Sequence, residues 1–336
     1  MTSRVRCYQT SRTIKMTFSA AFSTSLYTSQ TSLLSSKNSS NKLFLKTCSL
    51  FPSQARKKLL FQPLRYNGFS TERSCVGIVK AIQSENWFKN VEVFTKEHVA
   101  ILLAHDVAQH SNKFIQEKGA FTVVLSGGSL IKYLRKLVEL TNAESIDWSK
   151  WHVFWVDERV VPKDHLESNY KLAYDGFLSK VPIPPVNIYS IDDALEADGA
   201  ADVYETTLRR LVKNGVIATS ENGFPKFDLM LLGMGQDGHV ASLFPRHSLV
   251  KEDKKWVSFI KDSPKPPSDR ITLTFPVINA CSNIAMVVTG AGKNGAVYSA
   301  LRGDEKSDKL PAGLVSSEGE LKWYLDIGAA SMLFKE

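Results

Sequence analysis

Leu229-Met230-Leu231-Leu232-Gly233-Met234-Gly235-Gln236-Asp237-Gly238-His239-Val240-Ala241-Ser242-Leu243-Phe244-Pro245 is an apolar strand that runs directly into a glycine-rich turn ending on a histidine. Four consecutive apolar residues, Leu229 to Leu232, have the length and bareness of a strand buried on both faces, as in a parallel sheet covered by helices. Gly233, Gly235 and Gly238 then let the backbone reverse beside whatever sits at its tip, and Asp237 and His239 are delivered there. Loops that follow the carboxyl ends of parallel strands are where ligands bind. An imidazole in such a loop is a candidate acid or base; a lone histidine is more often structural, but three glycines with no packing purpose of their own favour function.

Working outward, apolar strands alternate with helical patterns. Val99, Leu102, Leu103, Val107 and Phe114 predict a helix over residues 95–117, followed by a strand from Phe121 to Leu125 and a second helix after Ser126-Gly127-Gly128-Ser129. The pattern continues with a strand from Trp151 to Val156, a helix from about Asn169 to Leu178, a short strand from Val186 to Ile191 and a helix over residues 199–213. Beyond the Leu229 strand come strands at Trp256 to Ile260, Ile271 to Phe275 and Ile284 to Thr289, a helix after Lys293, and a last strand from Trp323 to Asp326. Such alternation implies right-handed crossovers and an α/β fold of Rossmann-like type, a largely parallel sheet with helices on both faces. The proline-rich segment from Lys261 to Ser268 reads as a surface loop.

The chain has 336 residues, 43% of them hydrophobic and 23% charged, enough for one large α/β domain or two small ones. No apolar run is long enough to span a bilayer, so no membrane partner is expected. The formal charge of +8 suggests nucleic acid until its distribution is read. Residues 1–71 hold eleven basic side chains and no Asp or Glu, which leaves about −3 for the remainder, so a nucleic-acid footprint on the body is not expected. Residues 1–75, basic and rich in Ser and Thr, read as a disordered organelle transit peptide, with a plastid favoured over a mitochondrion and an ordinary tail as the plain alternative, and residues 76–336 read as a single α/β domain. Cleavage is expected between about Gly68 and Lys80. Cys7, Cys48, Cys75 and Cys281 offer neither a disulfide framework nor paired metal ligands, and His98, His105 and His110 are not spaced one helical turn apart.

Three further strand-end loops accompany the histidine turn. Ser126-Gly127-Gly128-Ser129 is either an anion cradle of free N–H groups or a tight connection. Asp157-Glu158-Arg159 presents a guanidinium suited to a phosphate or to a salt bridge with its own acidic neighbours. Gly290-Ala291-Gly292-Lys293 ends on a lysine that is either a phosphate contact or solvated, and Arg270 is a weaker fifth candidate. Together they would make one anion-binding end, with His239 at the other. Dinucleotide, phosphate-loop and nucleophile-elbow signatures are missing, so a small phosphorylated metabolite handled without a cofactor is the class supported.

Leu125-Ser126-Gly127-Gly128-Ser129, Trp155-Val156-Asp157-Glu158-Arg159 followed by Ser168-Asn169, and Gly233 through Pro245 resemble the three blocks of the 6-phosphogluconolactonase family, over residues 90–333. Glucosamine-6-phosphate deaminases and isomerases share that fold, of the NagB/RpiA/CoA-transferase type. Arg159 and Ser242-Leu243-Phe244-Pro245 point to the lactonase branch, while Leu130-Ile131 departs from the family's usual Thr-Pro. The resemblance implies hydrolysis of 6-phospho-D-glucono-1,5-lactone in the oxidative pentose phosphate pathway, without metal or cofactor, with glucose-6-phosphate dehydrogenase as functional neighbour. It implies His239 as the base, oriented by Asp237 or Asp157, glycine-turn amides for the oxyanion, and Gly127, Gly128 and Gly235 among the groups that bind the substrate and its phosphate. Ser129, Arg159, Arg270 and Lys293 would hold the phosphate. With its leader the chain resembles a plastid-targeted plant form located in the stroma, a mitochondrion or dual plastid and peroxisome targeting being the alternatives. Competing functions are a sugar-phosphate isomerase or deaminase, and a non-catalytic sugar-phosphate sensor.

Overall fold

The computed structural model describes residues 90–140, 146–302 and 309–334. The expected transit peptide and cleavage region lie outside the described residues. In chain order the elements are β1 (Val91–Phe94), α1 (Lys96–Lys118), β2 (Phe121–Leu125), a 3₁₀ segment (Gly128–Leu134) continuing into α2 (Arg135–Leu140), β3 (Trp151–Trp155), β4 (Asp157–Arg159), α3 (Asn169–Gly176) and α4 (Ala197–Lys213). Then follow a hairpin of β5 (Ala218–Thr219) and β6 (Pro225–Lys226), β7 (Leu229–Leu232), β8 (Val257–Ile260), β9 (Arg270–Leu273), α5 (Phe275–Asn279), β10 (Asn283–Val288), α6 (Asn294–Arg302) and β11 (Glu320–Asp326).

Six strands form one parallel sheet in the order β1-β11-β10-β7-β2-β3, with β7 near its middle. Every residue of β2 and β7 is buried, which explains their unbroken apolar sequence. Successive side chains alternate between two cores. Met230 and Leu232 join Val124, Phe154 and Met286 on the face covered by α4, α5 and α6. Leu229 and Leu231 join Val123, Leu125 and Val287 on the face covered by α1, α2 and α3. This is the predicted α/β fold, a three-layer packing of helices on both sides of a parallel sheet.

Local signals explain the element ends. Helix α1 starts where the Thr95 side chain accepts from the His98 amide, and stops at Gly119, whose φ of 76° lies in the left-handed region while its N–H donates to the Ile115 carbonyl. Between these caps Val99, Leu103 and Val107 recur at intervals of four and are fully buried. At the sheet edge where β7 begins, Asp228 accepts from the Thr122 amide (2.7 Å), the Thr122 hydroxyl (2.8 Å) and Lys118 Nζ (2.8 Å). The β5–β6 hairpin closes beside that edge through Ser220 N–H to Phe224 O (2.9 Å), with Glu221, Asn222 and Gly223 exposed at its tip.

Several segments differ from expectation. Residues Val186 to Ile191 form no strand: Pro184 and Pro185 fix φ and remove donors, leaving a 3₁₀ turn at Pro185–Asn187 and an isolated bridge between Val153 and Ile188. Asp157–Arg159 is a strand rather than a loop. It pairs antiparallel with β9, and β9 with β8, in a separate three-stranded sheet, so the segments around Trp256 and Ile271 do not extend the main one. Phe275 begins α5 rather than ending a strand, with Pro276 in the first turn where its missing N–H costs nothing. The turns after β2 and β10 open as 3₁₀ rather than α-helix, and β1 was not anticipated. Among the described residues, no helix is long and apolar enough to cross a membrane.

Candidate active site

Parallel strands all point one way, so the turns after β2, β3, β7 and β10 gather at one sheet edge. The β7 turn is closed by Gly235 N–H to His239 O (2.9 Å) and Gly238 N–H to Gly235 O (3.1 Å). Gly235 is glycine of necessity: a Cβ there would collide with His239 Nδ1 and the Asp237 carboxylate. His239 Nδ1 lies 2.5 Å from Asp237 Oδ1, and its ring rests against Phe244 with centroids 4.6 Å apart. A carboxylate can only accept, so Nδ1 carries the hydrogen and Nε2 keeps its lone pair. Lys265 Nζ completes the group, 3.1 Å from Asp237 Oδ1 and 3.2 Å from His239 Nδ1.

Electrostatics tune this trio to a neutral base. Burial lowers the affinity of His239 for a proton, outweighing the bond and charge of Asp237, and the Lys265 charge acts in the same direction as burial. Burial also works against the Asp237 anion, but the bond and charge of His239, then those of Lys265, hold its carboxyl at about 2. The ionised form of Asp237 and the neutral form of His239 are thereby favoured.

The β4 side carries the next residues. Asp157 is buried and accepts from the Ser242 hydroxyl (2.8 Å), so the orienting contact on His239 comes from Asp237. Glu158 takes the amides of Arg159 (2.8 Å), Asn169 (2.7 Å) and Tyr170 (2.7 Å), anchoring the start of α3. Burial outweighs those bonds and raises its pKa to about 7. The Arg159 guanidinium pairs with neither Asp157 nor Glu158; it donates to the Glu167 carbonyl (2.7 Å), while its Nε is buried with no acceptor among the described residues. Arg270 borders the cleft too, but it donates to the carbonyls of Pro267 (2.9 Å), Lys265 (2.9 Å) and Pro266 (3.0 Å), so much of its donor capacity pins the proline-rich loop.

Gly127, Gly128 and Ser129 form a third wall. Gly128 has φ +71°, and Gly127 lies so close to the Asn169 side chain that a Cβ would overlap it. Lys293 faces them; burial and then the nearby Lys265 charge depress its pKa. Gly127, Gly128, Ser129, Asp157, Arg159, Gly235, His239, Arg270 and Lys293 thus border one cleft of about 140 Å³. Among the described residues no group of three or more His, Cys, Asp or Glu is placed to hold a metal ion.

Residues 95–323 match the family described as glucosamine-6-phosphate isomerases/6-phosphogluconolactonase. The chain belongs to this family. A probable 6-phosphogluconolactonase 4, chloroplastic, of Oryza sativa subsp. indica is 65% identical over 241 residues, 71% of this chain and 74% of that protein. The 6-phosphogluconolactonase 3, chloroplastic, of Arabidopsis thaliana is 62% identical over 247 residues, 73% of this chain and 75% of that one. A crystal structure of 6-phosphogluconolactonase from Thermotoga maritima superposes with a TM-score of 0.60 at 28% identity, covering 70% of this chain and 99% of that one.

Two groups at the site went without a role in the sequence. Lys265 lies on the proline-rich loop read as mere surface, and only the fold brings it to a histidine 26 positions away. Asn169 follows the helix cap Ser168, a position that reads as local structure although its side chain borders the cleft.

Proposed function

We propose that this family member opens 6-phospho-D-glucono-1,5-lactone to 6-phospho-D-gluconate, acting as a 6-phosphogluconolactonase. One observation carries the assignment of roles: a histidine hydrogen-bonded to an aspartate borders the same cleft as Arg159 and Lys293. Relatives that bear the enzyme's name at 65% and 62% identity support the substrate.

His239 Nε2 accepts a proton from water as the water oxygen adds to the C1 carbonyl. The tetrahedral oxyanion is met by amides of the glycine turns. As the bond from C1 to the ring oxygen breaks, Nε2 returns the proton to that oxygen, leaving an alkoxy oxygen protonated and a carboxylic acid that ionises. Asp237 holds the tautomer, and Lys265 disfavours a resting imidazolium. Arg159, Lys293 and the Gly127–Ser129 turn take the 6-phosphate, which fixes the carbonyl near the base. Asp157 holds Ser242 beside them, and Arg270 keeps the loop that carries Lys265 in place.

Residues 1–75 are assigned as a plastid transit peptide and residues 76–336 as the catalytic domain, supported by the basic, acid-free leader and by relatives named chloroplastic. Glucose-6-phosphate dehydrogenase would supply the lactone. The test follows acid release from lactone generated in the assay by oxidation of glucose 6-phosphate; turnover no faster than spontaneous opening would discard the assignment. Ammonia release from glucosamine 6-phosphate would instead identify a deaminase.

A further inference from the structure

Two buried polar atoms on residues bordering the cleft have no hydrogen-bond partner among the described residues. One is the donor Arg159 Nε, on the side chain already assigned to the phosphate; the other is the acceptor Asn169 Oδ1. Asn169 is fully buried, and nothing in the hydrolytic steps uses it. Its amide orientation is fixed: Nδ2 donates to the Asp157 carbonyl at 2.9 Å, and the reversed amide would set two carbonyl oxygens against each other. Its backbone is fixed as well, since the Asn169 N–H donates to Glu158 Oε1 at 2.7 Å at the first position of α3. Oδ1 therefore cannot swing away to find a donor.

It lies against Gly127, whose missing side chain is what leaves room for the oxygen. A rigid, desolvated acceptor carries a penalty until a donor meets it, and in a ligand cleft that donor comes from the ligand. Provided the lactone assignment holds, the substrate narrows the choice. Its phosphate dianion, C1 carbonyl and ring oxygen carry no hydrogen, so the donors it offers are the hydroxyls on C2, C3 and C4. We propose that Asn169 Oδ1 accepts a hydrogen bond from one of these ring hydroxyls, making Asn169 a specificity-determining residue that selects a hydroxylated sugar lactone over one lacking that group. A site built to bond a hydroxyl discriminates strongly against an analogue without it, because the buried partner is then left unpaired.

The experiment measures kcat/KM of wild type and Asn169→Ala on the parent lactone and on its 2-deoxy, 3-deoxy and 4-deoxy counterparts, each made in the assay by oxidising the corresponding deoxyglucose 6-phosphate. Wild type is expected to lose about ten- to a hundredfold on one deoxy lactone. The variant should lose a similar factor on the parent and no longer distinguish that deoxy lactone from it. Asn169→Ser, whose hydroxyl can still hold the Asp157 carbonyl, replaces the alanine variant if that fails to fold. Wild-type values within threefold of the parent for all three deoxy lactones would overturn the proposal. So would a variant that slows all four substrates equally while keeping the wild-type preference. Absence of any wild-type turnover of the parent lactone would instead refute the lactonase assignment.

Discussion

Asp228 and Asp237 stand at opposite ends of β7, each bonded to a lysine, and do opposite work. The Asp228 side chain is 3% exposed and spends its oxygens on Thr122 and Lys118, joining β2, β7 and the end of α1. Asp237 is 38% exposed and holds groups that are reactive in their own right, His239 and Lys265. The first carboxylate closes a polar account inside the protein. The second leaves Nε2 of its partner facing a cleft, bordered by residues whose polar atoms are left for a ligand. One end of the sheet is built to be complete and the other to be completed.

The largest expected effect is on the open end. His239→Ala should reduce kcat above the spontaneous rate by about a hundredfold to ten-thousandfold, with the denaturant midpoint nearly unchanged. A variant retaining a third of the wild-type rate would end the acid–base assignment. Asp228→Ala should show the reverse pattern, a loss of roughly 1–3 kcal/mol in chemical unfolding, because the buried Thr122 amide and hydroxyl lose their acceptor and Lys118 loses its ion pair, and little change in kcat of the folded protein. A large kcat effect there would erase the contrast between the two ends.

Asp237→Asn comes next, with kcat expected to fall at least tenfold while KM changes little: an amide oxygen can still take Nδ1–H, but it no longer supplies a negative charge to the forming imidazolium. The smallest effect belongs to Lys265→Met, read as a pH profile. The acid limb of wild-type kcat/KM should lie below pH 6.5, because burial lowers the His239 pKa and the neutral ring is the active form. Lys265 lowers that pKa further, so its removal should move the limb upward. A downward shift would contradict the placement of its ammonium beside the ring.

The closed end and the sheet were largely legible because strand burial writes itself into local sequence: β2 and β7 are unbroken apolar runs, and α1 carries its cap, its stripe and its terminal glycine in order. The open end was legible only where a turn declares itself. Gly233 through His239 announced a loop holding an imidazole, and the glycines after β2 announced another. Which carboxylate touches His239 was not legible, since Asp157 and Asp237 both follow strands; the fold gives Asp157 to Ser242. Arg270 illustrates a different limit. A guanidinium at a strand start looks the same whether it faces a ligand or donates to Pro267, Pro266 and Lys265 carbonyls. Lys265 is hidden because prolines erase periodicity, and Val186 to Ile191 has the apolar spacing of a strand although Pro184 and Pro185 prevent one.

The β5–β6 hairpin turns over at the sheet edge remote from the cleft, with Glu221, Asn222 and Gly223 projecting outward. It offers an attachment point that the chemistry cannot feel. An epitope, a surface tether or a dye-bearing cysteine installed at Asn222 would report on or immobilise the enzyme with its mouth turned away from the support, and Cys281, the native thiol among the described residues, is too deeply buried to compete for the label.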